Sequence, residues 1–425
     1  MRSYRYAPAI AVGRVVRVLA RWRKPGGGSA IPGLVVNRIA PGFLATTLDS
    51  FPLGLVIVTG SSGKSTTTKM LVAVLRHHGL AVFTNQSTAN ISQGLTSALL
   101  ERVDLSGRIA GDIAVLEMDE GHGAFIASTL RPRVVALTNV MVDQIDRFHD
   151  SEMVIALLAK IAARATETVV LNADDRYLAE LGSALEASVK VSRYGVSPEV
   201  FDQYPRGFGY ARTAPTRLPA RSGVRLTRAL GLDADVEFAT GIHSIHLPAR
   251  GIHYAVDAIT AVSTAQAALG DRFDPRLACV ALSAMPAVFG RGEIVNIKGK
   301  TVEFVLVQNP SSFQLNVDSL EAGTEQILVI IGSDVRDPSY FWPVVTTSLK
   351  HVLIASGLKA HDIALQLAYD DVQVDRIEPD IPTALDAFLA LPNPTFGVKT
   401  IIFSADGMRR TRAHLGLTTN IEDPV

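Results

Sequence analysis

The apolar run Gly54-Leu55-Val56-Ile57-Val58 passes directly into Thr59-Gly60-Ser61-Ser62-Gly63-Lys64-Ser65, and an apolar-periodic stretch continues from Ser65 to His77. A short uncharged run of this kind reads as a strand buried on both faces, and the period after it reads as a helix. Strand, glycine loop and helix in that order commit the chain to crossover connections, because parallel strands cannot be joined by a tight hairpin. Further buried-strand candidates at Leu80–Thr84, Ile113–Met118, Val134–Thr138 and Thr168–Leu171 alternate with helix-like stretches. The pattern predicts an α/β fold with a parallel, doubly wound sheet.

At 425 residues the chain exceeds one hydrophobic core, so two or three domains are expected. Periodicity lapses between Ser197 and Thr240, where Arg, Pro and Gly gather, and that stretch reads as an irregular insertion. A helix over Tyr254–Leu269 follows, with a boundary near Ala287–Arg291. Strand candidates restart at Val302–Val307, Gln326–Ile331, His351–Ala355 and Thr400–Phe403, which gives a second, smaller α/β domain. The expected division is a basic helix and leader over 1–50, a central nucleotide-binding domain over 51–288 and a C-terminal α/β domain over 289–425.

Charge and cysteine usage exclude several classes. Basic and acidic residues balance at 41 each, so no global charge points to nucleic acid. The single cysteine, Cys279, rules out intramolecular disulfides and multi-thiolate metal sites and suits a reducing, cytoplasmic compartment. No uncharged apolar run approaches the roughly 18 residues needed to span a bilayer, and Ala7–Val12 is too short for a secretory signal. In the opening segment Arg14, Arg17, Arg21, Arg23 and Lys24 are interleaved with Val15, Val16, Val18, Leu19 and Trp22, ahead of a breaker at Lys24–Ser29. Such a helix either rests peripherally on an anionic inner membrane face or packs its apolar side on the first domain beneath a solvated basic face; the second is the simpler expectation.

The glycine loop carries the first chemical signal. Backbone N–H groups at a strand-to-helix turn face phosphate oxygens, and the helix N-terminus adds partial positive charge. Gly60, Ser61, Ser62, Gly63 and Thr66 would form the cradle, with Lys64 on the outer phosphates and the Ser65 hydroxyl on magnesium. Val58 replaces the first glycine of the strict G-x-x-x-x-G-K-[ST] pattern, so a plain tight turn is the competing reading. Glu117 closes a candidate strand at the edge where a doubly wound sheet places its ligands, and a carboxylate there can hold magnesium. Asp119 and Glu120 divide evenly between that role and a solvated strand end.

Six segments then occur in an order similar to that of the Mur ligases: TGSSGKSTTT from Thr59, VLEMDE from Val115, LTNVMVDQIDRF from Leu137, LNADD from Leu171, GIHYAVDAITA from Gly251 and FGRGE from Phe289. Within that superfamily the chain resembles the MurT subunits of lipid II isoglutaminyl synthase, through DQIDRF, FGRGE and LVQNPSSF from Leu306. The resemblance runs from about Ile31 to near the last residue and implies ATP and magnesium as cofactors. It implies that Lys64 and Ser65 hold phosphate and magnesium, that Glu117 is a magnesium ligand and that Asn139 lies near both. It further places Asn172 and Asp175 near the adenine nucleoside and brings Arg291 to the nucleotide from the domain junction.

IGSDVRDPSYFW from Ile331 resembles the MurT segment that carries a catalytic aspartate, with Asp337 the first choice and Asp334 the second. One of the two is also expected to cap a turn before Pro338. The resemblance implies amidation of the α-carboxylate of D-glutamate in a lipid-linked or nucleotide-linked peptidoglycan precursor, with ammonia from a GatD-like glutamine amidotransferase. Several positions depart from the pattern. Gln144 stands where many Mur ligases have histidine, as it does in MurT proteins, and Tyr254 stands where many have asparagine. Gln308 replaces a lysine before Asn-Pro, and Lys160, near a carbamylated lysine of other members, reads more simply as a surface residue. The four-cysteine zinc ribbon of MurT proteins cannot exist between Ser197 and Thr240, which leaves only His243, His246 and His253 nearby, so no zinc is expected. An amino-acid ligase of the same superfamily and a nucleotide-binding scaffold without catalysis are the competing readings.

Overall fold

The computed structural model describes residues 4–23, 30–85, 91–141, 150–213, 223–288, 290–337 and 340–417. Gln144, the rest of DQIDRF and the Lys24–Ser29 breaker lie outside the described residues. Two sheets organise the chain. The first contains β1 (Leu55–Thr59), β2 (Val82–Thr84), β3 (Ile113–Glu117), β4 (Val134–Leu137), β5 (Thr168–Asn172), β6 (Lys190–Val196), β7 (Val224–Leu230), β8 (Asp233–Phe238) and β9 (Gly241–His246). Its order is β2-β3-β1-β4-β5-β6-β7-β8-β9, parallel through β7 and antiparallel from β7 to β9.

β1, β3, β4 and β5 are buried along their whole length. Such strands must be apolar throughout, and these are built from Val, Ile, Leu and Ala with polar residues confined to their ends. The helix Lys64–His77 and the helix Ile252–Leu269 lie side by side on one face of this sheet, the first over β1–β3 and the second over β4–β7, and the second is buried almost all round. Helices on the other face complete a doubly wound layer, with a core on each side of the sheet.

Ser197–Thr240 is more regular than its composition suggests. β7 and β8 occupy most of its second half and pair as a hairpin across Gly231. Leu226, Val236 and Phe238 turn inward, while Arg225 and Arg228 pair with Glu237 and Asp235 on the neighbouring strand. The arginines that disguise the pattern are cross-strand partners, and the alternation beneath them is that of a half-buried antiparallel ribbon.

The second sheet contains β10 (Arg291–Ile297), β11 (Lys300–Leu306), β12 (Ile327–Ile330), β13 (His351–Ser356), β14 (Gln373–Glu378) and β15 (Lys399–Phe403) in the order β10-β11-β15-β12-β13-β14. All its neighbours are parallel except the β10–β11 hairpin. Its core is separate, with Phe313 and Phe341 on one face and Phe304, Phe388 and Phe403 on the other.

The opening helix, Ala7–Arg23, departs from the simpler expectation. Ala9, Ile10 and Gly13 face inward, whereas Val12, Val15, Val18, Leu19 and Trp22 are exposed. Arg14 donates to the carbonyl of Val103 and Arg17 pairs with Glu101, so these two arginines reach back over the domain. The apolar side faces outward because the inward side is already filled by small residues that allow close helix packing: a Cβ on Gly13 would lie 2.6 Å from Val36 Cγ2.

Candidate active site

The glycine loop leaves β1 at its carboxyl end, and the loop after β4 staples it in place. Ser61 N–H donates to the Asn139 carbonyl (3.0 Å) and Ser62 N–H to Asn139 Oδ1 (2.9 Å). Thr138 Oγ1 and Asn139 Nδ2 donate to the Ser62 carbonyl at 2.7 and 3.2 Å. Gly63, at φ +78°, begins the helix Lys64–His77 without a side-chain cap, so first-turn N–H groups face the loop. A Cβ at Gly63 would stand 2.1 Å from Asp257 Oδ1, which makes glycine a spatial as well as a conformational requirement.

Lys64 Nζ donates to the carbonyls of Gly60 and Ser61 and pairs with Glu120 at 3.1 Å. Ser65 Oγ donates to Glu117 Oε1 at 2.8 Å. Glu117 is only 6% exposed and is held by Asn85, whose side chain accepts from the Glu117 N–H and donates to its carbonyl. A hydroxyl facing a fixed carboxylate is a donor set suited to magnesium, which takes one or two protein oxygens and completes its shell with phosphate and water. Among the described residues no group of three or more His, Cys, Asp or Glu could hold a metal, so any ion here would depend on the nucleotide for its remaining ligands.

The two acidic neighbours separate. Asp119 caps the helix Glu120–Ala127, accepting from His122 N at 2.6 Å. Glu120 is buried beside Lys64. Asn172 and Asp175 are fully buried beneath the cleft: Asn172 Nδ2 donates to the Tyr210 hydroxyl (2.7 Å), and Asp175 accepts from Val140, Tyr177 and Leu178 N–H groups. Burial raises the Asp175 pKa to about 7, against the pull of those three donors.

Arg291 joins the second sheet to the loop. Its Nη1 donates to Thr66 Oγ1 (2.8 Å) and its Nη2 to Gln308 Oε1 (2.9 Å). The same motif fixes the junction, since Glu293 accepts from Gly290 N (2.7 Å) and from Arg412 Nη1 (2.9 Å). Phe289 lies outside the described residues. Tyr254 is buried, with its hydroxyl accepting from Val288 N at 3.2 Å, so it braces the linker. Gln308 and Asn309 N–H both donate to Ser312 Oγ, and Asn309 caps the helix Pro310–Ser319.

A cleft opens between the parts, lined by Ser62, Gly63 and Asn139 on the loop side and by Tyr210, His253 and Ser312 opposite. Asp257, on the buried helix behind the loop, was not apparent as a site residue, although a lone acid within an apolar helix is a signal. Burial raises its pKa to about 8, partly offset by the Arg291 charge and the Thr67 and Thr66 hydroxyls. His253 was singled out only as a nearby histidine; its Nδ1 is buried with no hydrogen-bond partner, and burial lowers its pKa to about 4.

Asp334 and Asp337 follow β12 on the second sheet. Asp334 accepts from Ser404 Oγ (2.6 Å) and Ala405 N (2.9 Å), at the start of the helix Ala405–His414. Asp337 is exposed, and its carbonyl accepts from Tyr340 N. Lys160 is exposed in the last turn of the helix Ser151–Ala162.

Fold and site fit the class of ATP-dependent α/β enzymes, with a glycine loop on the first sheet and an arginine supplied from the second. Residues 58–262 match the Mur ligase middle domain, and residues 306–399 match the MurT ligase C-terminal domain. The MurT subunit of the glutamine-hydrolysing lipid II isoglutaminyl synthase of Streptococcus pneumoniae is 24% identical over 83% of this chain and 84% of its own. Among solved structures, MurF from Acinetobacter baumannii superposes with a TM-score of 0.68 at 16% identity, over 91% of this chain and 80% of that one. MurF from Thermotoga maritima in complex with ADP gives 0.66 at 18% identity, over 90% and 83%. The chain thus carries a Mur ligase middle domain followed by a MurT-type C-terminal domain, the arrangement of an ATP-dependent, amide-forming ligase.

Proposed function

We propose that the chain amidates the α-carboxylate of D-glutamate in a lipid-linked peptidoglycan precursor, using ATP and ammonia released by a GatD-like glutamine amidotransferase. The observation that carries the ligase reading is the convergence of Lys64, Ser65 and Glu117 at the loop with Arg291 on Thr66. The MurT-type C-terminal domain supports ammonia over an amino acid as nucleophile.

In the first half-reaction a carboxylate oxygen attacks the terminal phosphorus of ATP and ADP leaves. Lys64, the loop N–H groups and Arg291 stabilise negative charge that grows on the transferred group. Ser65 and Glu117 would hold a magnesium ion, which supplies charge neutralisation on the phosphates. In the second half-reaction ammonia attacks the acyl phosphate carbon, phosphate departs and the surplus proton is taken up by Asp337. Asp334, bound by Ser404 and Ala405, suits a positioning role.

The ammonia must come from elsewhere. Cys279 is the only thiol, it is buried, and burial raises its pKa to about 11, which leaves no thiolate to attack glutamine. Gln308, in place of the MurT lysine, removes a positive charge and leaves the substrate open; the second reading is a ligase of the same superfamily that uses the same ATP site with an amino acid as the nucleophile. ATP turnover measured with the lipid-linked precursor separates them: stimulation by ammonium salts supports amidation, and stimulation by an amino acid alone supports the other ligase.

A further inference from the structure

The outward face of the helix Ala7–Arg23 has a composition that water does not favour. Pro8, Ala11, Val12, Val15, Val18, Leu19 and Trp22 follow one another at helical spacing along it, and all are exposed. Trp22 is 84% exposed. Ile31, Leu34 and Ile39 on the adjoining helix Ile31–Ile39 are exposed as well. Nine of the twenty-four exposed large apolar side chains among the described residues fall between Tyr4 and Ile39, so this is one patch and not scattered surface.

The charge carried by the segment that forms the patch is one-sided. The sequence has no acidic residue before Asp49, while Arg2, Arg5, Arg14, Arg17, Arg21, Arg23, Lys24 and Arg38 all precede it in a chain of zero net charge. An outward apolar stripe within a purely basic segment complements a surface that is apolar inside and anionic at its rim. We propose that these two helices dock the protein on an anionic lipid bilayer, with the stripe from Val12 to Trp22 entering the interface.

The patch adjoins the side of the molecule that holds the phosphate loop. Gly33 N–H donates to Ser97 Oγ and Asn37 Nδ2 to Ser92 Oγ, which fastens the second helix to the start of the helix Ser92–Arg102. That helix follows β2, whose next residue, Asn85, holds Glu117. Docking there would present the site to a lipid-linked acceptor, although the docking argument stands without that substrate.

Flotation of the full chain with vesicles tests it, without nucleotide or precursor. Vesicles of equal parts phosphatidylglycerol and phosphatidylcholine should carry the protein, pure phosphatidylcholine should carry far less, and Val15→Asp/Leu19→Asp should weaken partitioning about tenfold or more. Trp22 and Trp342 are the only tryptophans, so in a Trp342→Phe background Trp22 emission should shift to the blue with anionic vesicles. Unchanged circular dichroism and ATP turnover in the double variant would show that it folds. Absence of vesicle binding, binding indifferent to the two aspartates, or a wild-type dimer that the aspartates convert to monomer would each overturn the proposal.

Discussion

Replacing Gly63 with alanine probes the loop at the point where conformation and space coincide. At φ +78° an L-residue costs about 1–2 kcal/mol. The new Cβ would also lie 2.1 Å from Asp257 Oδ1, more than 1 Å short of ordinary contact. Asp257 is buried on a helix packed on all sides, so relieving the overlap adds about 1–3 kcal/mol of overpacking or shifts the loop itself. A displacement near 1 Å at a phosphate site lowers turnover about a hundredfold. Gly79→Ala is the matched control, with φ +81° and nothing within 4 Å of the added Cβ. Urea unfolding should place Gly63→Ala below Gly79→Ala in stability by about 1–3 kcal/mol, and ATP turnover should fall only in Gly63→Ala. Equal stability losses with normal turnover in both would refute the packing of Asp257 against the loop.

Glu117→Gln should leave the fold intact, because Asn85 holds the Glu117 backbone, and should raise the magnesium concentration needed for half-maximal ATP turnover about tenfold or more. Asp337→Asn should slow amide formation about a hundredfold without changing nucleotide affinity, whereas Asp334→Asn should lower stability by about 1 kcal/mol through its two hydrogen bonds; a larger catalytic loss from Asp334→Asn would transfer the role. His253 has its pKa lowered from 6.5 to about 4, so the neutral ring contributes stability above pH 6.5 that is lost as pH falls towards 4, by roughly 3 kcal/mol at most. His253→Phe should flatten urea-determined stability over that window, and an unaltered pH profile would contradict the burial argument.

The parallel strands and the glycine loop between strand and helix were legible because fully buried strands have no polar alternation to obscure them, and because glycine and lysine stand at fixed spacing after the first of them. The β7–β8 ribbon was not legible, since Arg225 and Arg228 read as loop composition until their partners Glu237 and Asp235 appear across the strands. Asp257 went unread and Glu120 stayed divided between two roles for a related reason: each packs against a residue distant in sequence, Gly63 and Lys64, and spacing along the chain cannot reveal that approach. Periodicity in the first helix reported an apolar face correctly but not its direction. Gly13 decides that, because only the glycine side of the helix can approach Val36 and Leu100 closely.

The proposed function requires this site to make an acyl phosphate and pass it to a nitrogen nucleophile. A heavy-oxygen label in the acceptor carboxylate of the lipid-linked precursor, followed by mass spectrometry of the phosphate released during turnover with ATP and ammonium, tests it directly. An acyl-phosphate route leaves one labelled oxygen in each phosphate and one carboxamide in each product, both lost in Lys64→Ala. Unlabelled phosphate accompanying amide product would contradict it.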